Sequence, residues 1–229
     1  MICYARLGLP ITITKIQAEV KEVLSSKNWM QHYNRLHYDG EWNVLPLRAP
    51  RGDAGKPFAE LMDDDSFENT MLLDRLPGVG RILDGLQCEK MSARLLNLKA
   101  GAVIKQHRDA ELSFENGETR LHIPVFTNNQ VEFFVDDEPV SMNAGECWYI
   151  NANLPHRVAN KGDTDRIHLV VDCRVNNWLQ QVFERAEKRC KAETTDKELQ
   201  ISIIRSLRMH RTEASSALAD KLENELNHE

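Results

Sequence analysis

The sequence predicts a mainly β protein: a jelly roll with one helix ahead of it and a helical extension behind. Three observations predict it. Between Arg94 and Asp172 short apolar runs are separated by turn residues, as in an all-β sandwich or barrel. Before that stretch a single apolar series recurs at helical spacing, and after Asp172 the spacing is helical to the end. A chain of 229 residues with 41% hydrophobic content can bury one core and carry an appendage. Residues 1–175 are expected to form the jelly-roll domain with its helix and loops, and residues 176–229 the extension.

Taken in order, Thr14 and Gln17 form a capping-box pattern ahead of Ile16, Val20, Val23 and Leu24, which predicts an amphipathic helix packed on a sheet. From Asn28 to Pro57 aromatics and turn formers mix without a period, so short strands and exposed loops are expected. Asp63-Asp64-Asp65 reads as a solvated helix start. Leu72 to Leu86 reads as a turn and a short helix. The predicted strands are Arg94 to Leu98, Arg120 to Phe126, Gln130 to Val135, Pro139 to Met142, Cys147 to Ile150, His156 to Ala159 and Arg166 to Asp172. Turns at Asn116-Gly117, Asn128-Asn129, Asp136-Asp137 and Asn143-Ala144-Gly145 punctuate them. Nothing before Arg94 is expected to compete for this core. Behind it, Trp178, Val182, Phe183 and Ala186 make one helical face. Thr195 and Glu198 cap a second helix with Leu199, Ile203, Ile204 and Leu207, and Leu218, Leu222 and Leu226 mark a third. That third helix needs a partner surface, either the jelly roll or a second copy of the chain in a homo-oligomer.

A net charge of −6 argues against nucleic acid or an anionic membrane surface as the partner, and leaves a small molecule or a protein. The five cysteines are odd in number and show no C-x-x-C spacing, which fits a reducing cytoplasm rather than a disulfide framework or a zinc knuckle. Met1 to Leu9 lacks the basic and apolar regions of a secretory leader, and no stretch approaches the length of a membrane span. A soluble protein is expected.

The candidate chemistry sits on His107-Arg108-Asp109, a lone His156, and Arg166 ten residues later. Two histidines and one carboxylate can occupy one face of an octahedral metal and leave the other positions open. Non-haem Fe(II) oxygenases use this set because substrate, co-substrate and O2 must reach one ion. Two neutral imidazoles and one carboxylate leave such a site at +1, which an anionic oxo acid can neutralise by chelation. Strand alternation puts Arg120 with His122, and Arg166 with His168, on shared faces, with Leu121, Ile123, Ile167 and Leu169 on the other side. If that face lines the cavity, it is an anion-binding wall beside the metal. The plainer reading of Arg166 is an edge arginine paired to Asp163 or Asp165, and His122 and His168 also suit hydrogen-bonded core positions. Arg48 and Arg51 read first as solvated loop arginines, and second as a grip for a substrate carboxylate.

These motifs, H-R-D at 107–109, R-L-H-I-P at 120–124, G-E-C-W-Y at 145–149, P-H at 155–156 and D-R-I-H-L-V-V-D at 165–172, resemble the aspartyl/asparaginyl β-hydroxylase family. The resemblance covers about a third of the chain. It implies a double-stranded β-helix, Fe(II) and 2-oxoglutarate. It also implies that His107 and His156 bind iron, that Arg166 holds the distal carboxylate of 2-oxoglutarate, and that Arg120 and His122 line the same co-substrate site. Gly40-Glu41-Trp42 resembles the family's upstream G-x-W, which implies that Trp42 lies near the co-substrate. The animal enzyme that names the family lacks the metal-binding carboxylate. Asp109 supplies one here, as in small bacterial members that include hydroxylases of free amino acids such as proline. The implied activity is hydroxylation of an amino acid, or of an amino-acid side chain in a peptide or protein. The competing readings are a cupin-like protein that binds a small acid without turnover, and a zinc hydrolase using the same ligands.

Overall fold

Apolar residues at every second position of the long strands build two antiparallel sheets, because successive side chains of a strand point to opposite faces. The computed structural model describes residues 1–55, 66–109, 112–191, 196–209 and 212–226. Along the chain these are β1 (Ile2–Leu7), α1 (Ile13–Val23), β2 (Met30–Gln31), β3 (Tyr38–Asp39), β4 (Trp42–Pro50), β5 (Phe67–Asn69), α2 (Pro77–Gly85), β6 (Lys90–Leu98) and β7 (Val103–His107). There follow β8 (Glu118–Phe126), β9 (Val131–Val135), β10 (Glu138–Pro139), β11 (Cys147–Ile150), β12 (His156–Asn160), β13 (Arg166–Arg174), α3 (Asn177–Glu184), β14 (Glu187–Cys190), α4 (Asp196–Met209) and α5 (Glu213–Leu226). The larger sheet runs β14-β1-β11-β8-β13-β6-β4-β2 with β5 beside β4, and the smaller runs β10-β9-β12-β7-β3. This is the expected jelly roll with an N-terminal helix and helices behind.

The larger sheet has two unlike faces. On one, Leu45, Leu47, Leu95, Leu121, Ile123, Ile167 and Leu169 meet Ile16, Val20 and Val23 of α1, Val79 and Leu83 of α2, and Leu179 and Phe183 of α3. Each large apolar side chain buried here contributes about 1.5–3 kcal/mol. The other face carries polar groups toward the smaller sheet, where the His122 ring meets Phe133 edge-on and the Arg166 guanidinium lies over the same phenyl ring. Two compact units divide the chain, Ile2–Cys190 and Lys191–Glu229 with Met1. The helices of the second, α4 and α5, are joined by ion pairs from Arg208 to Asp220 and Glu223. Among the described residues no helix is long and apolar enough to cross a membrane.

Several local expectations are corrected. The helix starts at Ile13, and its N-cap, Thr12, makes no side-chain cap bond. Gln17 caps nothing: its amide donates to the Val125 carbonyl on β8 and ties the helix to the sheet. Leu24 is the C-cap and about a third exposed. The region before Arg94 does share the core, through β1 and through the nine-residue, largely buried β4. Of the 139–142 strand only Pro139 forms, with Glu138 before it, as the two-residue β10 against β9. Residues 187–190 are a strand on β1, not helix. Ile203 and Leu218, expected on apolar faces, are more than two-fifths exposed, whereas Ile204 and Ala219 are buried. Asp63-Asp64-Asp65 and Thr195 lie outside the described residues, as does the side chain of Glu198. At Gly40 the backbone is left-handed and a Cβ would meet Ala102 at 2.9 Å, so the Asp39-Gly40 turn into β4 requires glycine.

Candidate active site

Strand pairing assembles the ligand set. His107 ends β7 and His156 opens β12, directly opposite in register, with ring centroids 4.2 Å apart. Asp109 follows two residues beyond His107, where its amide donates to the Ala152 carbonyl. Ligand atoms of His107, Asp109 and His156 all lie within 4.8 Å of one another. Each histidine uses Nδ1 against a carbonyl, His107 to Lys105 at 2.8 Å and His156 to Leu154 at 3.0 Å. Such bonds fix the tautomer and leave Nε2 with its lone pair toward the cluster. Burial, and then His107 beside it, pushes His156 down to about 4, so it is neutral and ready to ligate near pH 7. Burial alone would raise Asp109, but Arg120, the two histidines and Arg94 outweigh it and hold the carboxylate below its ordinary value.

Arg120 is the hub of this end. It bonds Asp109 through Nη1, and Asp172 through Nε at 2.7 Å and Nη2 at 3.0 Å. Asp172 is buried and also accepts from Ser92 at 2.9 Å and Arg94 at 3.1 Å. Burial opposes its charge, yet Arg120 and Arg94 keep it well below the usual carboxylate range. A cavity of about 650 Å³ opens over this group and is lined by His32, Trp42, Arg94, Asp109, Glu118 and Arg120 among others. Trp42 stacks on His32 with centroids 3.6 Å apart and planes 11° from parallel, and Tyr38 meets it edge-on.

The other end differs. Arg166 is 2% exposed, and no carboxylate among the described residues pairs with it. Asp165, the neighbour that could have done so, bonds Lys99 and Asn97. The contacts of Arg166 are His168 Nδ1 at 3.0 Å and the Phe133 ring, and its Nε has no acceptor. Burial unopposed pushes the guanidinium down to about 9. Arg166 and His168 line a second cavity of about 290 Å³. His122 lies between the ends: burial first, then Arg166, Arg120 and His156, push it well below its usual value, and its Nδ1 is unpaired.

The structure thus brings His107, Asp109, His156, Arg120, His122 and Trp42 together, with Arg166 reached through His122. Arg48 and Arg51 do not line the cavity; Arg48 bonds the Lys90 carbonyl and Asn69. Sequence reasoning missed His32, Arg94 and Asp172. The alternation that selected Arg166 and His168 also puts Asp172 on their face and, across the ladder, Arg94 opposite Val170.

A jelly roll that presents two histidines and a carboxylate at its paired strands β7 and β12, with a buried arginine ten residues beyond the second histidine, belongs to the class of folds whose donor set could hold one metal ion. The family model for aspartyl/asparaginyl beta-hydroxylase matches residues 12–175, and the chain belongs to that family. It is similar to an L-proline cis-4-hydroxylase of Rhizobium meliloti, 30% identical over 151 residues, which takes in 65% of this chain and 53% of that one. It is also similar to an L-proline cis-3-hydroxylase of Streptomyces, 29% identical over 139 residues, 58% of this chain and 47% of that one. The chain spans about half the length of these curated relatives. Among solved structures, a Pseudomonas putida prolyl-4-hydroxylase aligns with 77% of this chain and 95% of its own, at 12% identity and a TM-score of 0.46.

Proposed function

We propose that the protein is an Fe(II)- and 2-oxoglutarate-dependent hydroxylase acting on an amino acid, or on an amino-acid side chain in a peptide or protein. The observation that carries the reading is Arg166, a buried guanidinium with no carboxylate partner among the described residues, set apart from a three-residue cluster that could hold a metal. A buried charge left unpaired is costly, and a ligand carboxylate removes the cost. The L-proline hydroxylases among the relatives support the same reading.

The donor set fits Fe(II): two imidazoles whose Nδ1 atoms are held by carbonyls and whose Nε2 atoms are left free, with one carboxylate, on one side of the ion. When bound, the iron would supply the oxidising chemistry that couples C–H hydroxylation to conversion of 2-oxoglutarate and O2 into succinate and CO2. The chain's own residues orient and protect. Arg166 takes the distal carboxylate of 2-oxoglutarate in a two-pronged bond, while His168 Nδ1 accepts one of its N–H groups and fixes the fork. The His122 ring, within electrostatic reach of both Arg166 and His156, stands between that carboxylate and the ligand cluster. Arg120 orients Asp109, leaving its other oxygen, Oδ1, on the His107 side, 3.8 Å from Nε2.

The test is succinate formation. Purified protein given Fe(II), O2, 2-oxoglutarate and a panel of amino acids and peptides is expected to release succinate, faster when the prime substrate is present. Tight binding of 2-oxoglutarate without turnover would favour the cupin-like binder, and metal-dependent hydrolysis without O2 consumption would favour the zinc hydrolase.

A further inference from the structure

Asp172 belongs to none of the three ligand positions, yet the charges that bear on Asp109 from behind meet at its carboxylate. It lies directly opposite Arg120 across the β8–β13 ladder, and Ser92 and Arg94 reach it from β6 on the other side. It is 2% exposed and accepts four bonds, from Ser92 Oγ, Arg94 Nη2, and Nε and Nη2 of Arg120. We propose that Asp172 is a positioning residue for the metal: it holds Arg120 in place, cancels charge on Arg120 and Arg94, and so sets how strongly Asp109 binds a cation. The inference rests on the hydroxylase reading above and adds what tunes the affinity of its metal site.

The geometry divides Asp109 between two partners. Its Oδ2 takes Nη1 of Arg120, and its Oδ1 faces the histidines, 3.8 Å from His107 Nε2. A guanidinium on one oxygen fixes the plane of the carboxylate, which favours ligation, and draws charge from it, which opposes ligation. Arg94 exerts only the second effect. It bonds Ser92 and Asp172, and acts on Asp109 through space. Both guanidiniums also repel a dication, in a partly buried site where salt screens little.

Asp172 offsets the repulsion and keeps the orientation. With it, the two guanidiniums and the two carboxylates sum to zero charge; without it, the group is cationic before any metal arrives. If Asp172 served stability alone, metal affinity would follow stability from variant to variant. The charge reading separates the two at Arg94, whose loss breaks a buried ion pair and at the same time removes a repelling charge.

The test is calorimetric titration of the full chain with Mn²⁺ under argon, beside urea denaturation of the same variants. Asp172→Asn is expected to weaken Mn²⁺ binding roughly 10–100-fold, the range for losing a group that supports a metal ligand. Asp172→Glu keeps the charge and should stay nearer the parent. Arg94→Gln is expected to bind Mn²⁺ several-fold more tightly than the parent while being less stable in urea. Combining Asp172→Asn with Arg94→Gln returns the group to zero charge and should recover much of the lost affinity, where independent damage would add. If Asp172→Asn does not fold, Arg94→Gln decides by its sign. The proposal is overturned if Asp172→Asn binds Mn²⁺ like the parent, if Arg94→Gln binds it more weakly, or if the double variant is weaker than Asp172→Asn. A parent that binds no Mn²⁺ would remove the metal reading and this inference with it, whereas equal affinity across the variants removes only the role given to Asp172.

Discussion

The two ends of the site are built from the same kind of strand residue and stand in opposite electrostatic states. At the metal end Arg120 is engaged by Asp172 and Asp109, and those carboxylates lift its guanidinium above the ordinary value against the pull of burial. At the far end Arg166, more deeply buried, has no carboxylate partner among the described residues, and burial alone lowers it. The difference teaches how to read a buried arginine. One whose acid partners are in the chain holds the architecture, and one whose partner is missing is prepared for a ligand.

The contrast can be broken by mutation, and the largest effect is expected at the metal ligands. His107→Ala or His156→Ala should abolish succinate formation while circular dichroism still reports a folded chain, because both histidines stand on the smaller sheet and the apolar core lies on the far face of the larger one. Asp109→Ala should be severe. Full turnover in either histidine variant would end the assignment. Next comes the acid that compensates the metal end. Asp172→Asn leaves Arg94 and Arg120 short of a buried partner and should cost about 3–5 kcal/mol in urea denaturation at pH 7. The sign follows from a carboxylate held below its unfolded value: its stabilisation is present above about pH 4 and is withdrawn as pH falls through that range. A variant as stable as the parent would mean that Arg120 and Arg94 are not compensated as described.

Arg166→Ala should act oppositely. It should weaken 2-oxoglutarate by roughly 30-fold to several thousand-fold, the range of ~2–5 kcal/mol for a lost buried charge contact, with Mn²⁺ affinity nearly unchanged and no loss of stability. Lysine should fall between, lacking the planar fork. Unchanged 2-oxoglutarate affinity would transfer the anchoring role to Arg120. The smallest effect concerns His122 and His168, which burial, followed by the charge of Arg166, keeps neutral in the fold. The unfolded chain takes up protons on them below about pH 6.5 and the folded chain does not. Stability should therefore be level above that pH and fall by about 2 kcal/mol between pH 6.5 and 5.5 from this pair. Replacing both with phenylalanine should flatten that slope, and an unaltered slope would show that they titrate freely.

Six of the seven strands read from turn punctuation form, because turn residues bound each apolar run; Cys147 to Ile150 coincides with β11 to the residue, and of the seventh only Pro139 lies in a strand. The strands that escaped lacked that signal. In β4 Pro46 and Pro50 argue against a strand, since proline donates no ladder bond, yet the register shift between Pro46 and Arg48 accommodates one and the end of the strand the other. β7 buries one residue fully, Ile104, and so gave no period although it delivers His107. β14 buries none and merged with the helical pattern on either side. For the site, the order of histidines, aspartate and Arg166 was legible. The shared carboxylate Asp172 was not, because its role comes from lying across the ladder from Arg120, with Arg94 on its other side.

β14 has a consequence of a different kind. β1 alternates buried Cys3, Ala5 and Leu7 with half-covered residues, and its second edge would offer a row of unpaired amides and carbonyls to any other strand. Glu187–Cys190 covers that edge with four exposed, mostly charged residues, and Arg6 clasps Glu187 at 2.6 Å. Short charged edge strands of this kind are poor templates for pairing between molecules. A chain cut before Glu187 would keep every residue of the site and yet be expected to self-associate through β1, so the yield of monodisperse protein depends on a segment that takes no part in chemistry.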